Sequence, residues 1–115
     1  MFTEKLKTAV NEWLTNEDLN EWYFESFRDE NCKLLPPQEA FERIDKVIPI
    51  LLNQTDESVL IELAEVILCL ARTSGTTEVP SALESNKGLI KAVFSDKCDY
   101  AKHKLKEVLG YYRMG

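Results

Sequence analysis

Apolar residues recur at steps of three and four along the whole chain, and no segment alternates polar and apolar with period two for long. That periodicity predicts an all-α protein. A first helix is expected over about 3–14, with Thr3 as its cap and Leu6, Ala9, Val10, Trp13 and Leu14 as its apolar stripe. A second is expected over about 17–30, capped by Asn16, with Glu17 and Asp18 at its positive end and Leu19, Trp22, Tyr23, Ser26 and Phe27 facing inward. Pro36 and Pro37 then fix a turn and open a third helix, about 37–53. There Phe41, Ile44, Val47, Ile48, Leu51 and Leu52 face inward, and Pro49 predicts a kink or short break. The fourth, about 57–72, is apolar around most of its circumference, as expected of the central helix of a small core. A loop around Gly75 leads to a short helix from Pro80, about 80–86. Two more follow, about 87–95 and 97–112, the last burying Ala101, Leu105, Val108, Leu109 and Tyr112.

Sliding the chain by 42 residues exposes an internal repeat. Val47, Ile48, Leu51 and Leu52 fall on Leu89, Ile90, Val93 and Phe94. Without a gap, Val59, Leu63, Val66, Ile67 and Leu70 fall on Ala101, Leu105, Val108, Leu109 and Tyr112, and the turn residues Asn53 and Asp56 fall on Ser95 and Cys98. A weaker copy precedes: Leu6, Ala9 and Val10 match Ile48, Leu51 and Leu52, while Leu19, Tyr23 and Phe27 match Val59, Leu63 and Ile67 at an offset of 40. The chain therefore divides into three helical hairpins, the outer two degenerate.

The segment VIPILLNQTDESVLIELAEVILCLA resembles a HEAT or armadillo repeat unit. It has a first helix with an internal proline, a short turn holding an Asp, and a second helix of packed aliphatics. The resemblance extends over about residues 40–112. It implies a short right-handed solenoid of stacked helical pairs that binds protein; an irregular α-helical bundle is the alternative.

A length of 115 residues favours a single α-helical domain, 1–115. No apolar run approaches the ~18–20 residues of a membrane span, and the N-terminus carries acids and lysines where a signal peptide would be apolar. A cytoplasmic protein is the expectation. The three cysteines agree, having no C-x-x-C spacing. Cys69 is expected in the core; Cys32 and Cys98, near helix ends, are expected as exposed thiols.

The net charge of −6 is unevenly spread. Residues 1–45 carry 5 Lys/Arg against 11 Asp/Glu, residues 46–85 carry 2 against 6, and residues 86–115 carry 7 against 3. The acidic front disfavours nucleic acid, whose affinity comes largely from cations on phosphates. It would speed the encounter with a basic protein. Lys97, Lys102, Lys104 and Lys106 lack an aromatic stacking platform and read as a solvated face, or as partners for the acids of a neighbouring helix.

Catalytic chemistry is not apparent. The one histidine, His103, stands among lysines and reads as solvated, and one His with three scattered Cys does not make a zinc site. Cys98 and His103 are off a common helical face, which argues against a nucleophile pair. Phosphate-loop, dinucleotide, zinc-protease and EF-hand patterns are missing. No enzyme activity, metal or other cofactor is expected.

The stretch NEDLNEWYFESFRDEN sets Trp22, Tyr23, Phe24 and Phe27 among six carboxylates. Tyr23 and Phe27 are expected in the core, Trp22 at its border, and Phe24 on the outside with Glu17, Glu21 and Arg28. Aromatic anchors in a field of carboxylates match the composition of a protein-binding hot spot. The candidate partner-binding residues are Glu17, Asp18, Glu21, Trp22, Phe24, Glu25, Asp29 and Glu30. Tyr111 joins them, turned away from the stripe that holds Tyr112. In general character the chain is similar to the small acidic immunity proteins of bacterial toxin–immunity systems. That resemblance implies a monomer that neutralises a basic toxin domain, such as a nuclease, by covering its active site. A HEAT-like adaptor and a homodimeric regulator are the competing readings.

Overall fold

The computed structural model describes residues 1–16 and 22–114. Among them the chain is all-helical: α1 (Phe2–Thr15), α2 (Tyr23–Asn31), α3 (Pro37–Leu52), α4 (Glu57–Ser74), α5 (Ser81–Ser85), α6 (Lys87–Phe94) and α7 (Asp99–Tyr111). The molecule measures 38 × 34 × 19 Å, and its short dimension suits two layers of helices.

The apolar periodicity places α4 at the centre, as expected. Its buried side chains run from Val59 to Ala71 on most of its circumference, and it packs on α1, α2, α3 and α7. Asp56 starts it by accepting from the Val59 N–H, and Gly75 ends it at φ 67°, a left-handed value that glycine takes without strain. The α3 helix passes through Pro49 without interruption, although the proline offers no N–H to the preceding turn. Pro37 opens α3 at a position where a missing N–H costs nothing.

Contacts run between like members of successive hairpins: α1 on α3 and α3 on α6, α2 on α4 and α4 on α7. Within the 42-residue repeat, every matched position of α4 and α7 is buried in both copies. The match weakens between α3 and α6, where Val47 is buried but Leu89 is 60% exposed, because no described residue covers the outer side of α6. The helix cap also changes between copies. Cys98 stands where Asp56 would, and Glu57 compensates by accepting from the Cys98 backbone N–H at 2.6 Å. Asp45 on α3 serves α5 in the same way, accepting from the Ala82 N–H at 2.9 Å.

Several expectations are corrected. Helix α1 begins at Phe2, not after Thr3, because Phe2 is buried against Phe27 and carries the Arg43 guanidinium over its ring at 4.8 Å. Leu14 is exposed beyond the stripe. Cys32 is fully buried rather than exposed, while Cys69 is only half-buried. His103 is exposed and lies 3.3 Å from Glu107, and Lys104 pairs with Glu65 of α4, in keeping with the solvated or neighbour-paired reading of the α7 cations.

Candidate functional site

The described part of α2 is nine residues long and sits against α1 and α4. At about 100° per residue, Phe24, Phe27, Arg28 and Asn31 share one side of it. That side faces the protein. Phe24 has no exposed surface and meets the Trp13 ring edge-on at 5.3 Å. Arg28 reaches Glu62 on α4 at 3.3 Å, and Arg43 donates to the Asn31 carbonyl at 2.8 Å. Burial raises the Glu62 carboxyl above its ordinary value, and the Arg28 charge only partly opposes it. The outward placing of Phe24 is therefore overturned. The inner stripe contains an arginine and an asparagine, so by polarity it looked like the solvent side.

The opposite side carries Trp22, Glu25, Ser26 and Asp29. Trp22 stands at the N-terminal boundary of α2 and is 57% exposed, so it is not part of an inward face. Ser26 is also exposed rather than inward. Glu25 is half-buried, and Asp29 is exposed and pairs with Lys33 at 2.6 Å. Glu30 is exposed beside them and borders a shallow groove between α1 and α2 that Glu4 and Glu12 also line. Within this groove Tyr23 donates to Glu12, and burial with that hydrogen bond pushes its hydroxyl up to about 12. Glu17, Asp18 and Glu21 lie outside the described residues. Of the proposed residues, Trp22, Glu25 and Asp29 thus share the outward side of α2, while Glu30 belongs to the groove against α1 and Glu25 also borders the pocket towards α4.

Tyr111 does not belong to that region and is not turned away. Its hydroxyl donates to the carbonyl oxygens of Ala71 at 2.9 Å and Thr76 at 3.2 Å, closing the end of α4 against α7. Tyr112 is buried as expected, with a hydroxyl that has no hydrogen-bond partner among the described residues.

A second cluster was not foreseen. An open pocket of about 360 Å³ lies beside α2 and α4, lined by Glu25, Arg28, Lys33, Glu65, Cys69, Arg72 and Thr73. Behind its Cys69 wall sits Cys32, whose thiol is close enough to hydrogen-bond to Cys69. That bond, opposed by burial and aided by the charges of Arg28, Lys33 and Arg72, pulls the Cys69 thiol down to about 7. The same contact, with burial, holds Cys32 protonated. The two residues are far apart in sequence and share no motif, so no spacing signal could have joined them.

Among the described residues, no group of three His, Cys, Asp or Glu could hold a metal ion, and no helix is long and apolar enough to cross a membrane. Comparison with protein families, curated proteins and solved structures finds no match.

Proposed function

We propose that this chain is a non-catalytic protein-binding module whose contact surface is the outward side of α2, and that its partner is a basic protein domain. The observation that carries the reading is Trp22, a large ring 57% exposed on the same side of α2 as Glu25 and Asp29. An exposed tryptophan supplies buried area on contact, and surrounding carboxylates orient a cationic partner and raise its association rate. The acidic N-terminal part of the chain supports the same sign of partner. Neutralisation of a basic bacterial toxin, one molecule to one, inside the cytoplasm, is the form of binding that fits a small acidic module of this kind.

The scaffold half of the proposal is a short, right-handed HEAT-like solenoid of the hairpins α1–α2, α3–α4 and α6–α7. The like-on-like helix contacts and the 42-residue repeat support it. An adaptor that bridges components of an assembly would use the same scaffold, and is the second reading.

The test is affinity capture from the source cell's own toxin-producing culture, with three baits: the natural chain, Trp22→Ala, and Glu25→Lys with Asp29→Lys. One basic protein held by the natural chain and lost by both variants is expected. Co-production of that protein with the natural chain, and not with the variants, should restore growth. Equal capture of several proteins by all three baits would remove α2 from the surface and favour the adaptor.

A further inference from the structure

We propose that Cys69 and Cys32 form a peroxide-reactive dithiol, in which hydrogen peroxide oxidises Cys69 from the pocket and Cys32 closes a disulfide tying the end of α2 to α4. Three features of the molecule carry this. The first is access: Cys69 is half-buried and lines an open pocket of about 360 Å³, so a small oxidant reaches it from solvent. The second is charge. Arg28, Lys33 and Arg72 line the same pocket with the carboxylates Glu25 and Glu65; although Arg28 and Lys33 also pair with Glu62 and Asp29, the three cations favour at Cys69 the thiolate, the form that attacks peroxide. The third is the resolving thiol. Cys32 is fully buried and neighbours Cys69, since Lys33, the next residue along the chain, lines the same pocket as Cys69. Cys98, exposed at the start of α7, has access but does not line this pocket and is an internal reference.

The chemistry balances with hydrogen peroxide as the only added reactant. The Cys69 thiolate attacks one peroxide oxygen, the O–O bond breaks, and hydroxide leaves; Cys69 is then a sulfenic acid. That hydroxide takes the Cys32 proton as water. The Cys32 sulfur attacks the Cys69 sulfur, the S–O bond breaks, and a second hydroxide leaves and is protonated by solvent. The two sulfurs lose two electrons and the peroxide oxygens gain them. A single disulfide and two waters result. The bond closes a loop between the C-terminal end of α2 and the middle of α4, which limits the freedom of the unfolded chain. This inference stands apart from the proposed partner, since it concerns only the protein alone.

The experiment treats the reduced natural chain with a small excess of hydrogen peroxide, alkylates it after unfolding, and maps tryptic peptides by mass spectrometry. The expected product joins peptide 29–33 to peptide 47–72, formed before Cys98 is modified and faster as pH rises through about 7. In a Cys32→Ser variant, dimedone should trap a sulfenic acid at Cys69. Because Cys32 is buried and its variant could fold poorly, the natural chain's map decides the matter. Cys32 and Cys69 both still alkylatable when Cys98 has reacted overturns the proposal. So does a Cys69 oxidised beyond reach of alkylation while Cys32 stays free.

Discussion

At the scale of single residues, neighbours in sequence play opposite parts. Phe24 is fully buried against Trp13 of α1 and Phe27 of α2, whereas Trp22, two residues earlier, is more than half exposed. Phe24→Ala should therefore cost about 3–5 kcal/mol of folding stability, and Trp22→Ala should cost clearly less. Urea denaturation of the two variants checks this, and a Trp22→Ala that unfolds as readily as Phe24→Ala would return Trp22 to the core. Asp56 is a second case with a definite sign. The Ser58 hydroxyl and the Val59 and Ser58 backbone N–H groups hold its carboxyl below the ordinary value. A carboxyl depressed by folding adds stability above its unfolded pKa of about 3.9 and loses it as pH falls through the folded value. Asp56→Ala should cost about 1 kcal/mol at neutral pH, and the gap between variant and natural chain should close on acidification.

At the scale of elements, helices are completed by their neighbours. The nine residues of α2 are too few to be stable alone in water. They are fixed by Phe24 in the core with the half-buried Phe27 packed against it, by Arg28 on Glu62, and by Arg43 on the Asn31 carbonyl. Likewise α5 and α7 borrow caps from Asp45 and Glu57. The repeat supplies a prediction at this scale, because equivalent positions have unequal surroundings. Val47→Glu places a carboxylate in the buried α3–α4 contact and should unfold the protein, at a cost of several kcal/mol. Leu89→Glu, its counterpart on the open side of α6, should fold normally; circular dichroism melts of the pair would show it. If both melt early, α6 has a cover that the chain alone does not supply.

At the scale of the whole molecule, charge is segregated along the chain. The first 45 residues hold 11 acids, and the last 30 hold 7 of the 14 Lys and Arg. An interface built on the acidic end should weaken with ionic strength, since the screening length falls from about 30 Å at 0.01 M salt to about 8 Å at 0.15 M. The effect belongs chiefly to the association rate. Surface plasmon resonance against the captured partner should show the on-rate falling steeply with salt while the off-rate changes little. A salt-independent on-rate would point to a contact carried by apolar area and not by the carboxylates.

The sequence by itself determined the helical class, the position of most helices, the central place of α4, and the inner stripe of α7. It could do so because long amphipathic segments repeat their apolar positions often enough to fix a face. Only the tertiary structure decided the orientation of α2, the retention of Tyr111, the burial of Cys32 and the joining of Cys32 with Cys69. In a nine-residue helix, one inward arginine is enough to make the buried side look polar; the helix turns that way because Glu62 stands ready on α4 to receive the charge. The acidic region likewise took its composition from the sequence, but which of its aromatics meets solvent was settled by how α2 packs. Pairings between residues distant along the chain leave no periodic trace in it, and such pairings hold the pocket and the acidic side of α2 in place.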